Sequence, residues 1–393
     1  MKIVNGNVFI DGKFQKVEVR FDNEKILEIG ENLKDDEVID AKGHDVYAGI
    51  IDPHIHGGFL RSFTAAAKDD DSITTEYGTP EEQVRYICHE VTKNGVTSIM
   101  PTFGDQTVEN YQKIFRTIRK VRKDVKGADP FLFHIEGAYQ NPEQSSSFDH
   151  NNDVLPIKEH TLAICDNDLS DISIIGLAPE LKGSMEWLDW LKKEYPFVHV
   201  EAGYTKAPAD VMIEAARRGL DQTSHMFNGF EAMHHRIDGP DVGVMMSDTI
   251  NCQLTLDGYH VSKNWCKLLI KVKGLDHIYG LTDLSTYSGI PEGRHELPNG
   301  KVIIAEGGMI KDEKGTIQSG NHNMEQIMYL ARNKVGLTKE EVASIFCENV
   351  AKCLEIKDRG KIEVGRRSDF TIMDDNYKCL KTIIRGEVYY ENN

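Results

Sequence analysis

The 393-residue sequence predicts an α/β fold: a TIM-like (β/α)8 barrel with a small β-sandwich domain formed by both chain ends. Three observations carry this expectation. Eight short apolar runs are spread through the middle of the chain, each followed by a helix-like or loop-like stretch, which is the arithmetic of eight βα units. Both ends of the chain are strand-rich, unlike the middle. Polar residues recur where the apolar runs finish, and barrels of this kind carry function at the C-terminal ends of their strands.

At the start, MKIVNGNVFI, QKVEVRFD and KILEIG are strand-like, with Asn5-Gly6 and Asp11-Gly12 as turn dipeptides. GKIEVGRRSDFTIMDD and CLKTIIRGEVYY repeat the style near the end. Residues 1–46 plus 358–393 are therefore assigned to the small β domain, and 47–357 to the barrel. The candidate barrel strands are 47–53, 95–103, 131–139, 171–180, 196–204, 222–228, 251–260 and 277–283. Between them, PEEQVRYICHEVTKN begins a helix at Pro80. VENYQKIFRTIRKVRKD is a second helix, and KAPADVMIEAARRG a third, closed by Gly219. The rival, a doubly wound open sheet, lacks any GxGxxG or GKS/T stretch to support it.

Hydrophobic residues make up 40% and charged residues 28%, as in ordinary globular enzymes. Lys plus Arg total 46 against 63 Asp plus Glu, a formal charge of −17. That argues against a nucleic-acid partner, which needs a basic footprint. A small anionic substrate needs only one or two local cations and stays open. The seven cysteines form no CxxC pair, so neither a disulfide framework nor a thiolate zinc site is suggested. No charged leader precedes an apolar stretch, and nowhere do about 18 apolar residues run together. No membrane partner and a cytoplasmic location are expected.

The chemistry-bearing residues begin with GIIDPHIHGG, residues 49–58. Side chains in a strand repeat with period two, so His54 and His56 point the same way and can converge on one ion. FLFHIEGAY carries His134 and Glu136 on one face, His134 two residues deeper and so better placed for support than for ligation. The sixth run holds His225 and Asn228, the seventh ends at His260 and the eighth at Asp283. A lone charged group in an apolar run is costly unless paired or metal-bound. The bland alternative, buried caps, serves for one residue but poorly for all these strand ends together. Imidazoles and a carboxylate can hold a divalent metal that lowers the pKa of bound water, and Asp283 can take the water proton and return it to a leaving atom.

These stretches, in this order, resemble the N-acetylglucosamine-6-phosphate deacetylase family of the amidohydrolase superfamily over nearly the whole chain. The resemblance implies that His54 and His56 bind a metal, that Glu136 of HIEG is a ligand able to bridge two metals, and that His225 of SHMFNGF is another. It implies substrate contacts for Asn228, Gly229 and His260, and the catalytic aspartate at Asp283 of LTD. In HHR, Arg236 is implied to reach the sugar phosphate of a neighbouring subunit, hence a homodimer.

Two departures stand out. The family's strand-five A-G-H-[ST]-x-A appears as AGYTKA, with Tyr204 at the ligand histidine. A phenol is a poor ligand at neutral pH. His199 lies about 16 Å back along the strand and Glu201 about 10 Å, and Glu201 also has the wrong parity, so neither replaces it. In NPEQSSSFDHNN, Phe148 stands where the family has a histidine that polarises the acetyl carbonyl, with His150 two residues on. SGNHNM places His322 in the usual G-S-x-L-T-M region, and Tyr204 and His322 become candidate substrate contacts. Three readings follow: deacetylation of an N-acetylated amino sugar 6-phosphate; a related amidohydrolase with altered acyl or sugar specificity; or a non-catalytic sugar-phosphate-binding relative. The cofactor expected is zinc or iron(II), one ion per chain, or two if another group completes the second position.

Overall fold

A computed structural model of the chain describes residues 1–66, 76–144, 154–298 and 300–392. Eight parallel strands follow one another around a single sheet: Ile50–Ile55, Val96–Phe103, Phe133–Tyr139, Ile172–Leu177, His199–Ala202, Gln222–Thr223, Asn251–Leu254 and Ile278–Gly280. The seam closes between the first strand and the segment just beyond the eighth. Ile55 bridges Leu284 in parallel, Asp283 N donates to His54 O at 3.0 Å, and His56 N donates to Leu284 O at 2.8 Å. The first four strands are buried along their whole length, as parallel strands covered by helices must be.

The helices form where their end signals stand. Thr79 caps Pro80–Thr92 and exchanges hydrogen bonds with Glu82, a capping box with proline in the first turn. Val108–Arg122 buries Tyr111, Ile114, Phe115, Ile118 and Val121 along one stripe. Ala209–Arg217 ends before Gly219, whose φ of +106° suits glycine.

Most barrel strands are shorter than their apolar runs, which corrects the bounds expected for them: 131–139, 171–180 and 196–204 pair only at Phe133–Tyr139, Ile172–Leu177 and His199–Ala202. The run at 222–228 pairs only at Gln222–Thr223, that at 251–260 only at Asn251–Leu254, and that at 277–283 only at Ile278–Gly280. The backbone leaves the ladder there. Phe227 and Asp283 have φ of 79° and 54°, outside the β region, and Asp257 accepts from the amides of Tyr259 and His260 in a tight turn.

Both chain ends build two sheets. One orders Ile26–Gly30, Glu18–Phe21, Lys2–Val4 and Val38–Asp40; the other orders Glu387–Glu391, Cys379–Ile384, Phe370–Met373, Asp45–Ala48, Asn7–Ile10 and Lys13–Gln15. Ile3, Val19, Phe21, Val46, Phe370 and Ile383 belong to the core between them. MKIVNGNVFI is thus two strands in two sheets, because Asn5 (φ 56°) turns the chain. In GKIEVGRRSDFTIMDD only Phe370–Met373 pairs as a strand. After the eighth barrel strand comes a four-stranded antiparallel sheet, Gly293–Glu296 to Ile317–Gly320, which the sequence reading did not assign. Among the described residues no helix is long and apolar enough to cross a membrane.

Candidate active site

Four strand ends converge on one point. His54 Nε2 lies 3.1 Å from His56 Nε2, so the two imidazoles of HxH do face the same way. Glu136 Oε1 is 3.4 Å from His54 Nε2 and 2.9 Å from His225 Nε2, while its Oε2 is 3.4 Å from His56 Nε2. Asp283 Oδ1 stands 3.6 Å from both His54 and His56. His54, His56 and Asp283 each offer a ligand atom within 4.8 Å of the others. His54 and Glu136 are buried, and the Asp283 side chain remains 31% exposed at the mouth.

The donor set fits a cation. Glu136 accepts from Ser224 Oγ at 3.2 Å through Oε1, but Oε2 is buried with no hydrogen-bond partner. Such an atom costs on the order of 1–3 kcal/mol unless something positive meets it. The imidazoles respond in the same sense: burial opposes a proton on His225, yet adjacent Glu136 outweighs it and pushes its pKa up to about 9. Protons and a divalent ion compete for such a cluster. Burial also holds His54 well below the usual imidazole range, the neutral form that ligation needs. Recession into the barrel raises the pKa of Asp283 against the pull of His225 and His56, which suits a group that must both take and give a proton.

Tyr204 sits at φ 46° with its hydroxyl 3.1 Å from His225 Nε2. Burial holds the phenol far above its usual pKa, so it meets His225 as a neutral hydroxyl. Its ring covers Gly229: a Cβ there would lie 2.7 Å from a ring carbon, and Gly229 has φ +68°. Glycine is required at 229 by this close approach. The Asn228 amide folds back onto His225 O at 3.2 Å, and Asn228 O faces His225 Nδ1 at 3.1 Å.

His260 pairs through Nδ1 with buried Asp257 at 2.6 Å. Burial opposes its charge, but Asp257 wins and raises its pKa. His322 stacks on Tyr259 at 5.6 Å and has a buried, unpartnered Nδ1; its contacts are on the His260 side and not with the ligand cluster. Arg236 is exposed, with Nη1 2.9 Å from His235 Nε2, and makes no ion pair with Asp238 or Asp241 among the described residues. Phe148 and His150 lie outside the described residues.

His134 is beneath the cluster, its Nε2 2.7 Å from Glu201 and its Nδ1 3.1 Å from Pro53 O, a supporting place. Glu201 is not at Tyr204's level but does point into the barrel, fully buried. His199 lies deeper, paired with Asp221 at 2.8 Å. Sequence reasoning passed over Gln253, whose Oε1 is 3.0 Å from His54 Nδ1, and Asp52, which accepts from Thr282 N at 3.2 Å and from the Thr282 hydroxyl, tying the first strand to the eighth. A polar amide flanked by Cys252 and Leu254 in NCQLTL was the available signal for Gln253.

No protein-family model matches the chain. Curated relatives named N-acetylglucosamine-6-phosphate deacetylase do. The one from Lysinibacillus sphaericus is 25% identical over 386 residues, covering 97% of this chain and 95% of the relative. The one from Mus musculus is 26% identical over 372 residues, covering 91% and 86%. Among solved structures, the Pasteurella multocida enzyme of that name superposes with a TM-score of 0.86 at 23% identity, covering 100% of this chain and 99% of that one. A mutant of the Mycobacterium smegmatis enzyme, in complex with N-acetyl-D-glucosamine-6-phosphate, gives 0.84 at 20% identity, with 99% of each covered. The barrel with its β-sandwich is the architecture of these proteins, and the His54–His56–Asp283 cluster has the donor spacing to hold a metal ion. The chain is thus similar almost end to end to proteins named N-acetylglucosamine-6-phosphate deacetylase, in sequence and in fold.

Proposed function

We propose that the protein is a metal-dependent amidohydrolase that removes the acetyl group from an N-acetylated amino sugar 6-phosphate such as N-acetylglucosamine 6-phosphate. The observation that supports this most is Asp283, 3.6 Å from both HxH imidazoles and beside the unpartnered Glu136 oxygen. The residues that would hold the ion are His54, His56, Glu136 and Asp283, with one zinc or iron(II) per chain. Such an ion supplies Lewis acidity, polarising a carbonyl and lowering the pKa of water. Asp283 takes the proton from water during attack and returns it to the amine nitrogen as the C–N bond breaks. His225 and the neutral Tyr204 hydroxyl present hydrogen-bonding groups beside Glu136, positioned to orient the amide. His260, held by Asp257 at 2.6 Å, meets the phosphate as a hydrogen-bond donor. Arg236, without an ion pair among the described residues, is placed to bind phosphate bidentately in the neighbouring subunit of a homodimer. The reading places the protein in the cytoplasm, which suits seven buried free cysteines.

Tyr204 favours one second reading, a changed acyl group or sugar, because the phenol fills space beside His225 that a smaller ligand side chain would leave open. A hydrolysis screen of N-acyl amino sugars, each with and without its 6-phosphate, separates the two. The acetylated 6-phosphates are expected to react best, and Arg236→Ala to cut that preference about 10- to 100-fold, the worth of a charge-assisted hydrogen bond. Equal rates on both forms would remove the phosphate assignment. Preference for another acyl group would favour the second reading. Elemental analysis is expected to give one ion per chain; a value near two would mean that Tyr204 or another group completes a second position.

A further inference from the structure

Beneath the ligand cluster lie an amide and a carboxylate that the mechanism above does not use. Gln253 and Glu201 are fully buried on adjacent regions of the barrel interior. Glu201 Oε1 accepts from His134 Nε2 at 2.7 Å, and Oε2 accepts from Gln253 Nε2 at 2.7 Å. Gln253 Oε1 faces His54 Nδ1 at 3.0 Å. The two ends of an amide are alike in shape, so its partners decide which way round it sits. An ionised carboxylate only accepts. The Gln253 nitrogen must therefore turn to Glu201, and its oxygen to His54. An amide oxygen also only accepts, so the His54 proton must be on Nδ1. A ring that binds a cation is neutral and carries one N–H, which leaves the Nε2 lone pair aimed at His56, Glu136 and Asp283. His134 completes the clamp, since its other nitrogen bonds the carbonyl of Pro53, next to His54.

We infer that Gln253 is a positioning residue, oriented by Glu201, that fixes His54 with Nε2 bare and directed at the cation. The inference rests on the metal-site reading and adds its control: a carboxylate two hydrogen bonds from the ion sets which ring nitrogen of His54 can bind it. Packing alone gives no reason for two fully buried polar side chains in this layer, since burial of such groups costs energy that only their mutual hydrogen bonds offset.

The test is the zinc affinity of metal-free protein, measured by competition with a chromogenic chelator. Gln253→Leu removes the acceptor and is expected to weaken zinc binding about 10- to 100-fold, the usual effect of losing such a partner. The exchange Glu201→Gln with Gln253→Glu keeps every hydrogen bond: the amide at 201 accepts from His134 and donates to the carboxylate at 253, which accepts from His54. It is expected to bind zinc within about threefold of the parent, well short of the loss that partner removal brings. A merely space-filling role would not predict that recovery. Unchanged affinity in Gln253→Leu, or an exchange variant no better than Gln253→Leu, overturns the inference while the parent's own binding keeps the metal site. If the parent binds neither zinc nor iron(II), both fall. Should Gln253→Leu not fold, Gln253→Met, unbranched and closer in length, takes its place with the same expected loss.

Discussion

The barrel holds buried charge at both ends of its strands, and the two clusters are resolved differently. At the N-terminal end, Asp129 Oδ2 accepts from Arg359 at 2.9 Å and Arg367 at 2.5 Å, Ser98 Oγ accepts from both arginines, and Asp369 takes Arg367 Nε at 2.6 Å. Each carboxylate there meets a guanidinium. At the C-terminal end, Glu136 and Asp283 meet imidazoles whose own charge is conditional, and Glu136 Oε2 has no hydrogen-bond partner among the described residues. Burial is similar: Arg367 and Asp369 are as enclosed as His54 and Glu136. Depth alone therefore does not mark function. The incomplete cluster is the one poised for a ligand, and the complete one ties the C-terminal segment to the barrel.

Substitutions should separate the two ends cleanly. Asp283→Asn is expected to lower kcat on the phosphorylated substrate by about 10²- to 10⁴-fold, the range for lost general acid–base catalysis, with ion content measured in the same preparation and kcat expressed per loaded molecule. Normal turnover in the fully loaded variant would take Asp283 out of the mechanism. Arg367→Met at the opposite end leaves Asp129 and Asp369 short of a partner and should cost about 3–5 kcal/mol in denaturant unfolding, while kcat per folded molecule holds. A large loss of kcat in that variant would mean that the clusters are coupled and the contrast is wrong.

Removing the ion should cost only at the C-terminal cluster. Chelation is expected to lower the unfolding free energy by about 4 kcal/mol when free ion had stood at about 1,000 times its Kd. In Glu136→Gln that difference between loaded and stripped protein should vanish. The smallest effect is in acid. Burial would raise the Asp129 pKa, but Arg359 and Arg367 outweigh it and hold it below the usual carboxylate range. Its stabilisation is thus fully present above the unfolded value of about 3.9 and is lost as pH falls through the folded value. Below about pH 4 the parent should lose up to about 1.4 kcal/mol per pH unit more than Asp129→Asn does. Parallel curves would show that Asp129 carries no such linkage.

The parts of this contrast that were readable in the sequence are those with local causes. HxH follows from strand parity, the Pro80 helix from its cap, and the barrel from the order of apolar runs. Strand ends at the site were not readable, because Tyr204, Phe227 and Asp283 take positive φ that none of these residue types announces. Glu201 was weighed only as a substitute ligand, along its own strand. Its partners, His134 and Gln253, come from other strands, and no spacing rule connects residues that meet only when a sheet curls. Arg367 and Asp129 escaped notice for the same reason. Their pairing crosses from the C-terminal segment to the barrel.

The seam also dictates an order of events during synthesis. His54 and His56 leave the ribosome early, whereas Asp283 and Leu284, whose backbone closes the ring on them, follow about 230 residues later, roughly 10 to 50 seconds at ordinary elongation rates. Until then the first strand has one barrel neighbour and an open edge, and any cation meets two imidazoles without the aspartate. The same wait applies to Asp45–Ala48, which pairs with Phe370–Met373 from the far end of the chain. Completion of the donor set and closure of the barrel are therefore one late step.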